Sequence, residues 1–377
     1  MVENLILLLE NPVALLDLAL QGLLVGAVFA LIAYGMALVW GVMNIINITQ
    51  GEFVILGGFV AFYFSEWGIS PLFAVPMAAL ILYVIATGLY LTPIHGLVFA
   101  NRLRPWLLAA GVFAASVAGF FVSGASLVLA VKEGVANWGS MAPAAAIVVD
   151  SLLVTIPVMF VVGGGLYTTV LRHIVGRDLF TSILATFGIS IFLQQFMNEA
   201  LTADVEIANH GLGTWSFVGG DITIEQIRLI ALIFALLIGV LLAVYMRKSR
   251  AGQAIRATAQ NPRAARIMGI DTDRVYARTY ALNAAICGSA GALVAMIWAV
   301  QAYGGLVYTL RAFMVVIFAG LGNLVGVIVA GLGLGVAENL AGFILGLEFQ
   351  IAFVFGLLVI VLIYRRIRLS FARKVLS

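Results

Sequence analysis

The sequence predicts an all-α, polytopic bundle of transmembrane helices, some broken or re-entrant, with about 9–10 crossings. Three observations carry that prediction. Of the 377 residues, 63% are hydrophobic and 10% charged, and the mean hydropathy is +1.15. A water-soluble core cannot hide that much apolar surface, so the bilayer is the solvent. Uncharged runs recur along the chain, several of them reaching the roughly 20 residues a helix needs to cross hydrocarbon. The runs lack the alternation of barrel strands, and a backbone in lipid must satisfy its own hydrogen bonds, which makes them helices.

In order, the runs are Leu18–Gly51, Trp67–Asn101, Pro105–Val131, Ser151–Leu171, Leu179–Asn198, Leu229–Met246, Thr279–Leu310, Ala312–Ala337 and Phe349–Tyr364. The first is too long for one crossing. Its break falls at Gly41–Glu52, where Asn44, Asn47, Gln50 and Glu52 bring amides and a carboxylate to depth. Such groups cost roughly 2–7 kcal/mol each when unsatisfied. They read either as hydrogen-bonding glue between helices or as the lining of a solute path. A second break is expected at the glycine-rich stretch Gly320–Gly326. Parity demands it, because three apolar runs separate Arg278 from the basic tail, and three full crossings cannot return the chain to the same side.

Charge sets the orientation. No Lys or Arg precedes Arg102; positive charge then clusters at Arg102 and Arg104, at Arg172, His173 and Arg177, at Arg247–Arg278, and in the tail Arg365–Lys374. The positive-inside rule places these groups in the cytoplasm. The stretch Glu199–Glu225, with five acidic residues and no Lys or Arg, reads as an external, loop-rich excursion. The net charge of +3 reports topology and gives no nucleic-acid-binding face. Cys287, the single cysteine, reads as a packed thiol. The opening MVENLILLLENP lacks a basic n-region, so a cleaved signal peptide is not expected. Asp150 reads as interfacial, and Glu338 and Asn339 as residues at the boundary of a run. The scattered His95, His173 and His210 fit no metal site, and no catalytic constellation is arguable.

The stretch Arg247–Gly269 is a basic island between apolar runs, holding Arg247, Lys248, Arg250, Arg256, Arg263 and Arg266. Asn261-Pro262 is a helix-start pair: Asn caps, and Pro fits the first helical position. Two short helices are therefore predicted, at about Gln253–Gln260 and Pro262–Met268, bracketed by Gly252 and Gly269. Ile255, Ala259, Ala265 and Met268 offer an apolar face, either for a protein partner or for the inner leaflet.

Four stretches, in order, carry a resemblance. Gly252, Arg256, Ala257, Asn261, Pro262, Ala264, Ala265, Gly269 and Ile270 are spaced as in the cytoplasmic coupling segment of branched-chain amino acid ABC permeases. Asn44, Asn47, Gly51 and Glu52 resemble that family's early signature, Ala185–Gln194 its mid-chain run, and Phe318–Gly326 its glycine-rich segment, although Ala319 stands where the family favours Gly. The agreement covers residues 20–66 and 172–364 and resembles the H-type permease more than its M-type partner. Residues 92–149 have no counterpart and read as an insertion of about two helices in a single permease domain.

The resemblance implies a subunit of an ATP-driven importer in the bacterial inner membrane, most simply for branched-chain amino acids, with urea, amides or aromatic acids as alternatives. It implies four further parts: an M-type permease, two ATPase subunits and an external solute-binding protein. Asn44, Asn47, Gln50, Glu52, Gln194 and Asn323 would line the path, and Gly252–Gly269 would couple to the ATPase. The sequence contains no Walker motif, so ATP and Mg belong to the partner subunits, and no cofactor is expected on this chain. An ion-coupled secondary transporter is the rival reading; it would need midplane acids, which are sparse in the sequence.

Overall fold

The computed structural model describes residues 11–66, 141–176, 178–208, 211–217, 222–320, 322–350, 352–361 and 363. Outside them lie the runs Trp67–Asn101 and Pro105–Val131, the apparent insertion as far as residue 140, and the groups Arg102, Arg104, Arg177, Arg365–Lys374, His95 and His210. The described chain forms α1 (Pro12–Met43), α2 (Gln50–Glu66), α3 (Met141–Thr169) and α4 (Leu179–Ala200). A hairpin of β1 (Thr214–Phe217) and β2 (Ile222–Glu225) follows, then α5 (Gln226–Lys248), α6 (Arg250–Gln260) and α7 (Pro262–Ile267). The last three are α8 (Thr272–Ile297), α9 (Gly305–Ala319) and α10 (Leu324–Leu345); residues 352–361 are also helical.

Six of the described helices are long and apolar enough to cross a membrane, and α2 and α9 are shorter apolar helices. The protein is thus an all-α polytopic bundle. The hairpin, with Thr214 opposite Glu225 and Phe217 opposite Ile222, adds a little β-structure to the acidic excursion. Asp150 and Pro143 fall within α3, which starts ten residues before the predicted run.

Local chemistry fixes the helix starts. Asn11 accepts from the amides of Val13 and Ala14 ahead of Pro12, and Asp271 accepts from Arg274. Asp178 caps α4, and hydrogen bonds from the Thr181 hydroxyl and amide hold its carboxyl below the usual carboxylate range.

Helices α1 and α8 form the centre. Each is buried over most of its length, α1 packing chiefly on α10 and α8, and α8 on α3, α2 and α1. Outward residues on α4 and α5, such as Phe180, Phe192, Ile233 and Val240, are exposed and apolar, as expected where hydrocarbon is the solvent.

Side-chain contacts give the directions. At one end, Asp17 and Gln21 of α1 bond to Thr223, Gln21 also meets Arg228, and Asn339 of α10 donates to the carbonyl of Leu18. At the other, α1 ends beside the last turn of α5, α6 and the first turn of α10. The latter is the basic end, with Arg247, Arg256 and Arg266; the former is the acidic end, with Asp17, Glu206 and Glu225.

Both central helices are followed by an interruption and a half-helix. Gln50, the first residue of α2, bonds to the carbonyl of Ile32, about two-thirds of the way along α1. From Ile32 to the end of α1 is about 16 Å at about 1.5 Å per residue. Residues 44–49 cover that return; six residues fully extended span about 20 Å, which leaves length for the turn at residues 48–49. Asn44 supports the reversal with a left-handed φ of 53°. The second interruption, residues 298–304 after α8, was not expected from the sequence, which read Thr279–Leu310 as one run. Here Val300 exchanges backbone hydrogen bonds with Glu206 (2.8 and 2.9 Å) at the acidic end. Next, α9 starts against Gly51 and runs toward the basic end, where Phe313 stacks on Trp40 (5.1 Å). The expected break at Gly320–Gly326 is the turn between α9 and α10, with φ of 81° at both Gly320 and Gly322.

Arg311 and Glu338 correct the sequence reading. Arg311 separated two predicted runs and Glu338 was assigned to a boundary, yet they form an ion pair between α9 and α10 with side chains only 16% and 5% exposed. Arg311 also lies over the ring of Phe29, 4.9 Å from its centroid. A mutually neutralised pair is tolerated where an isolated charge is not, so these charges do not mark a membrane boundary.

Glycine permits the close approach of α2 and α8. A Cβ on Gly57 would strike the backbone of Gly288, and one on Gly291 would strike Val54 and Gly58. Gly291→Val is therefore expected to cost about 1–3 kcal/mol, seen as an earlier thermal transition in detergent. Gly333→Ala, whose Cβ would meet nothing within 4 Å, should leave the transition in place.

Candidate functional site

The half-helices α2 and α9 start at the same point and run in opposite directions. Gly51 packs on the carbonyl of Gly305, and its amide donates to the Thr309 hydroxyl at 2.8 Å. Thr309 in turn donates to the carbonyl of Ile48 at 3.1 Å. Each helix start carries the positive end of a dipole. Glu52, in the first turn of α2, lies where both starts meet: a Cβ on Gly305 would fall 2.5–2.6 Å from its carboxylate atoms. Glu52 is fully buried. Its Oε1 accepts from Ser190 (2.9 Å) and Gln194 (2.8 Å), both on α4. Among the described residues, Oε2 has no hydrogen-bond partner.

Beside the carboxylate is a buried network. Asn47 Oδ1 accepts from the hydroxyls of Thr49 and Tyr280, the latter at 3.2 Å, and the two hydroxyls lie 2.9 Å apart. Gln50 Nε2 donates to the Ile32 carbonyl (3.0 Å) and to Cys287 Sγ (2.7 Å). The network ties the interrupted segment to α1 and α8. Cys287 is the packed thiol the sequence predicted, with this amide as an added partner.

Of the path residues named from sequence, Asn47, Gln50, Glu52 and Gln194 come together here. Asn44 does not; it caps α1 and is exposed. Nor does Asn323, which caps α10 at the basic end. Sequence reasoning did not nominate Ser190, Tyr280, Asn283 or Thr309. Ser190 stood within a quoted motif, and the other three were polar positions in a run treated as uniformly apolar.

The basic island folds into two short helices, as expected. Ser249 caps α6, accepting from Gly252 at 2.8 Å, and Asn261 caps α7, accepting from Arg263 and Ala264 at 3.1 Å. Gly269 ends the segment with a φ of 84°. The apolar face is divided. Ile255 and Ala265 are buried within the protein, Ala259 is exposed, and Ile267 and Met268 project with 86% and 80% exposure. Ala265 thus faces inward, and Ile267 and Met268 form the outward tip.

A sequence profile described as the permease component of the branched-chain amino acid transport system matches residues 106–362. The chain belongs to this family. The permease is 27% identical to the high-affinity branched-chain amino acid transport system permease protein LivH of Escherichia coli, over 91% of each chain. It is 26% identical to the corresponding permease protein BraD of Pseudomonas aeruginosa, over 92% of each. A probable branched-chain amino acid transport permease protein of Methanocaldococcus jannaschii is 28% identical over 185 residues, 46% of this chain. No solved structure matches the permease.

The network makes a quantitative demand on Asn47. Asn47→Leu removes every hydrogen bond at that position and should destabilise the permease by about 0.6–2 kcal/mol. Tyr280→Phe, which leaves the Thr49 hydroxyl on Asn47, should cost less. Thermal transitions of the two variants in one detergent check the order.

Proposed function

We propose that the permease is the membrane subunit of an ATP-driven ABC importer that moves branched-chain amino acids across the bacterial inner membrane. The observation that carries this reading is Glu52, a buried carboxylate with one oxygen unpartnered, where two half-helices begin. Broken helices that meet at mid-depth around polar groups are how transporters build solute sites. The positive ends of the two helices would favour a solute carboxylate, and Oε2 of Glu52 would offer an acceptor to its ammonium. Gln194, Ser190, Gln50 and Asn47 would orient the zwitterion, while Asn44 and Asn323 lie at a distance and would serve the entrance at the basic end.

Energy would enter at α6 and α7. The rigidly capped pair holds Ile267 and Met268 out at the basic end, which the positive-inside rule places in the cytoplasm. ATPase subunits carrying ATP and Mg would receive this tip. A second permease would complete the membrane part, and an external solute-binding protein would deliver to the acidic end. The names of the relatives favour branched-chain amino acids among the solutes such permeases could move.

Met268→Asp places a charge on the outward tip without touching the core. It should reduce ATP-dependent uptake at least tenfold while the permease still inserts. Unchanged uptake, or uptake that follows an ion gradient without ATP, would overturn the proposal. Glu52→Gln should impair uptake with the tip intact.

The orientation has its own test. In a Cys287→Ser background, Val205→Cys, exposed in the acidic loop, should react with a membrane-impermeant thiol reagent from outside intact cells. Reaction only after the inner face is opened would invert the topology.

A further inference from the structure

At the basic end, a cavity of about 300 Å³ opens between the membrane bundle and the coupling helix α6. Its walls are apolar where α1 and α5 meet the start of α10: Leu38, Val42, Met246 and Leu324. Arg247 and Arg256 also line it, one from the last turn of α5 and the other from α6. Neither arginine has an acidic partner among the described residues; the ion pairs there involve Arg228, Arg266, Arg274 and Arg311. The first turn of α10, from Asn323 to Val325, completes the lining and adds the positive end of a 22-residue helix to the two guanidinium groups.

We propose that this cavity binds the phosphate of an anionic phospholipid, with its glycerol and first acyl methylenes against the apolar walls. Two unpaired arginines and a helix start call for an anion, and arginine matches phosphate oxygens with two parallel donors. A soluble anion such as inorganic phosphate shares that chemistry, but it has no use for the apolar side. An amphiphile entering from the inner leaflet uses both. The volume lies at the small end of ligand pockets, roughly 300–1,000 Å³, enough for the head of a lipid and not for its tails. The lipid would sit at the joint where α6 meets the α9–α10 turn, so its headgroup would bear on transmission between the coupling helices and the mid-depth site. The proposal does not depend on the solute, and its test needs no transport.

The full-length permease, isolated in detergent with the subunits that copurify, is titrated with phosphatidylglycerol, with phosphatidylcholine and with inorganic phosphate, and retained ligand is read by native mass spectrometry. Phosphatidylglycerol should bind on the order of 25-fold more tightly than phosphatidylcholine, at about fivefold for each of two cations. The double variant Arg247→Gln with Arg256→Gln changes only exposed side chains and should erase the preference. Gly41 lines the cavity, and a Cβ there meets nothing within 4 Å. Gly41→Leu, starting from this free Cβ position, should crowd the apolar side and release the lipid while both arginines remain. Equal binding of the two lipids, or a preference that survives both variants, would overturn the proposal. So would inorganic phosphate bound equally well by wild type and Gly41→Leu with no lipid preference, which would identify a soluble-anion site. A double variant that loses ATPase copurification but keeps its bound phosphatidylglycerol would assign the arginines to the ATPase and overturn it too.

Discussion

The packing of Gly51 on Gly305 is the constraint on which the rest of this structure depends. Two half-helices can begin at the middle of a membrane only if their first amides are covered by protein. The permease meets that condition by starting both at one place and bringing side-chain hydroxyl and amide groups to it from α4, α8 and α9. Thr309 takes the amide of Gly51, and Tyr280 braces the residues leading into α2. Glu52 sets its carboxyl group where the positive ends of two helices converge. Without glycine at position 305 the carboxylate could not lie where it does.

A second consequence is the way the ends are connected. From the seam, α9 descends to the basic end, turns through Gly320 and Gly322, and returns as α10. The pair Arg311–Glu338 fastens the two arms of this hairpin to each other near the middle of their length. Its turn lies beside α6, and its upper end abuts Glu52. Replacing only one partner would strand a charge at depth, at a cost of about 2.5–3.5 kcal/mol on insertion scales. A hairpin that touches α6 at one end and Glu52 at the other is a short physical link between them.

Much of this was legible in the sequence, and the parts that were not share a cause. The break before α2 could be read because a 34-residue uncharged run exceeds one crossing and ends with Asn44, Asn47 and Gln50, with Glu52 just beyond it. The break after α8 was missed although the 32-residue run Thr279–Leu310 also exceeds one crossing, because Trp298–Gly304 contains no charge and Gln301 is its only amide side chain. Arg311 and Glu338 misled for the opposite reason: a charge in sequence looks like an interface, and only tertiary contact shows that it is neutralised. The caps of α6 and α7 were legible because Ser249 and Asn261 act on amides two or three residues away. Which way Ala265 faces depends on how the pair docks against α8 and α1, and no local signal records that. Ser190 and Gln194 became part of the candidate site only because α4 passes α2 at the right height.

The two broken units bring one polar cluster to the place where both return to the middle. In the first unit, α1 runs to the basic end, the chain turns back to the middle, and α2 leaves toward the acidic end. In the second, α8 runs to the acidic end, the chain turns back to the middle, and α9 leaves toward the basic end. The same device is used twice in opposite senses, the arrangement in which transporters place a solute site at the interface of inverted halves. Tilting α9 with its hairpin would loosen the seam from the basic side, and tilting α2 would loosen it from the acidic side, where Tyr63 ties it to the carbonyl of Leu201 at 2.9 Å. Glu52 belongs to α2 but rests on α9, so either movement changes its surroundings. A carboxylate with one fixed oxygen and one free oxygen can then hold its place through Ser190 and Gln194 while the other side opens.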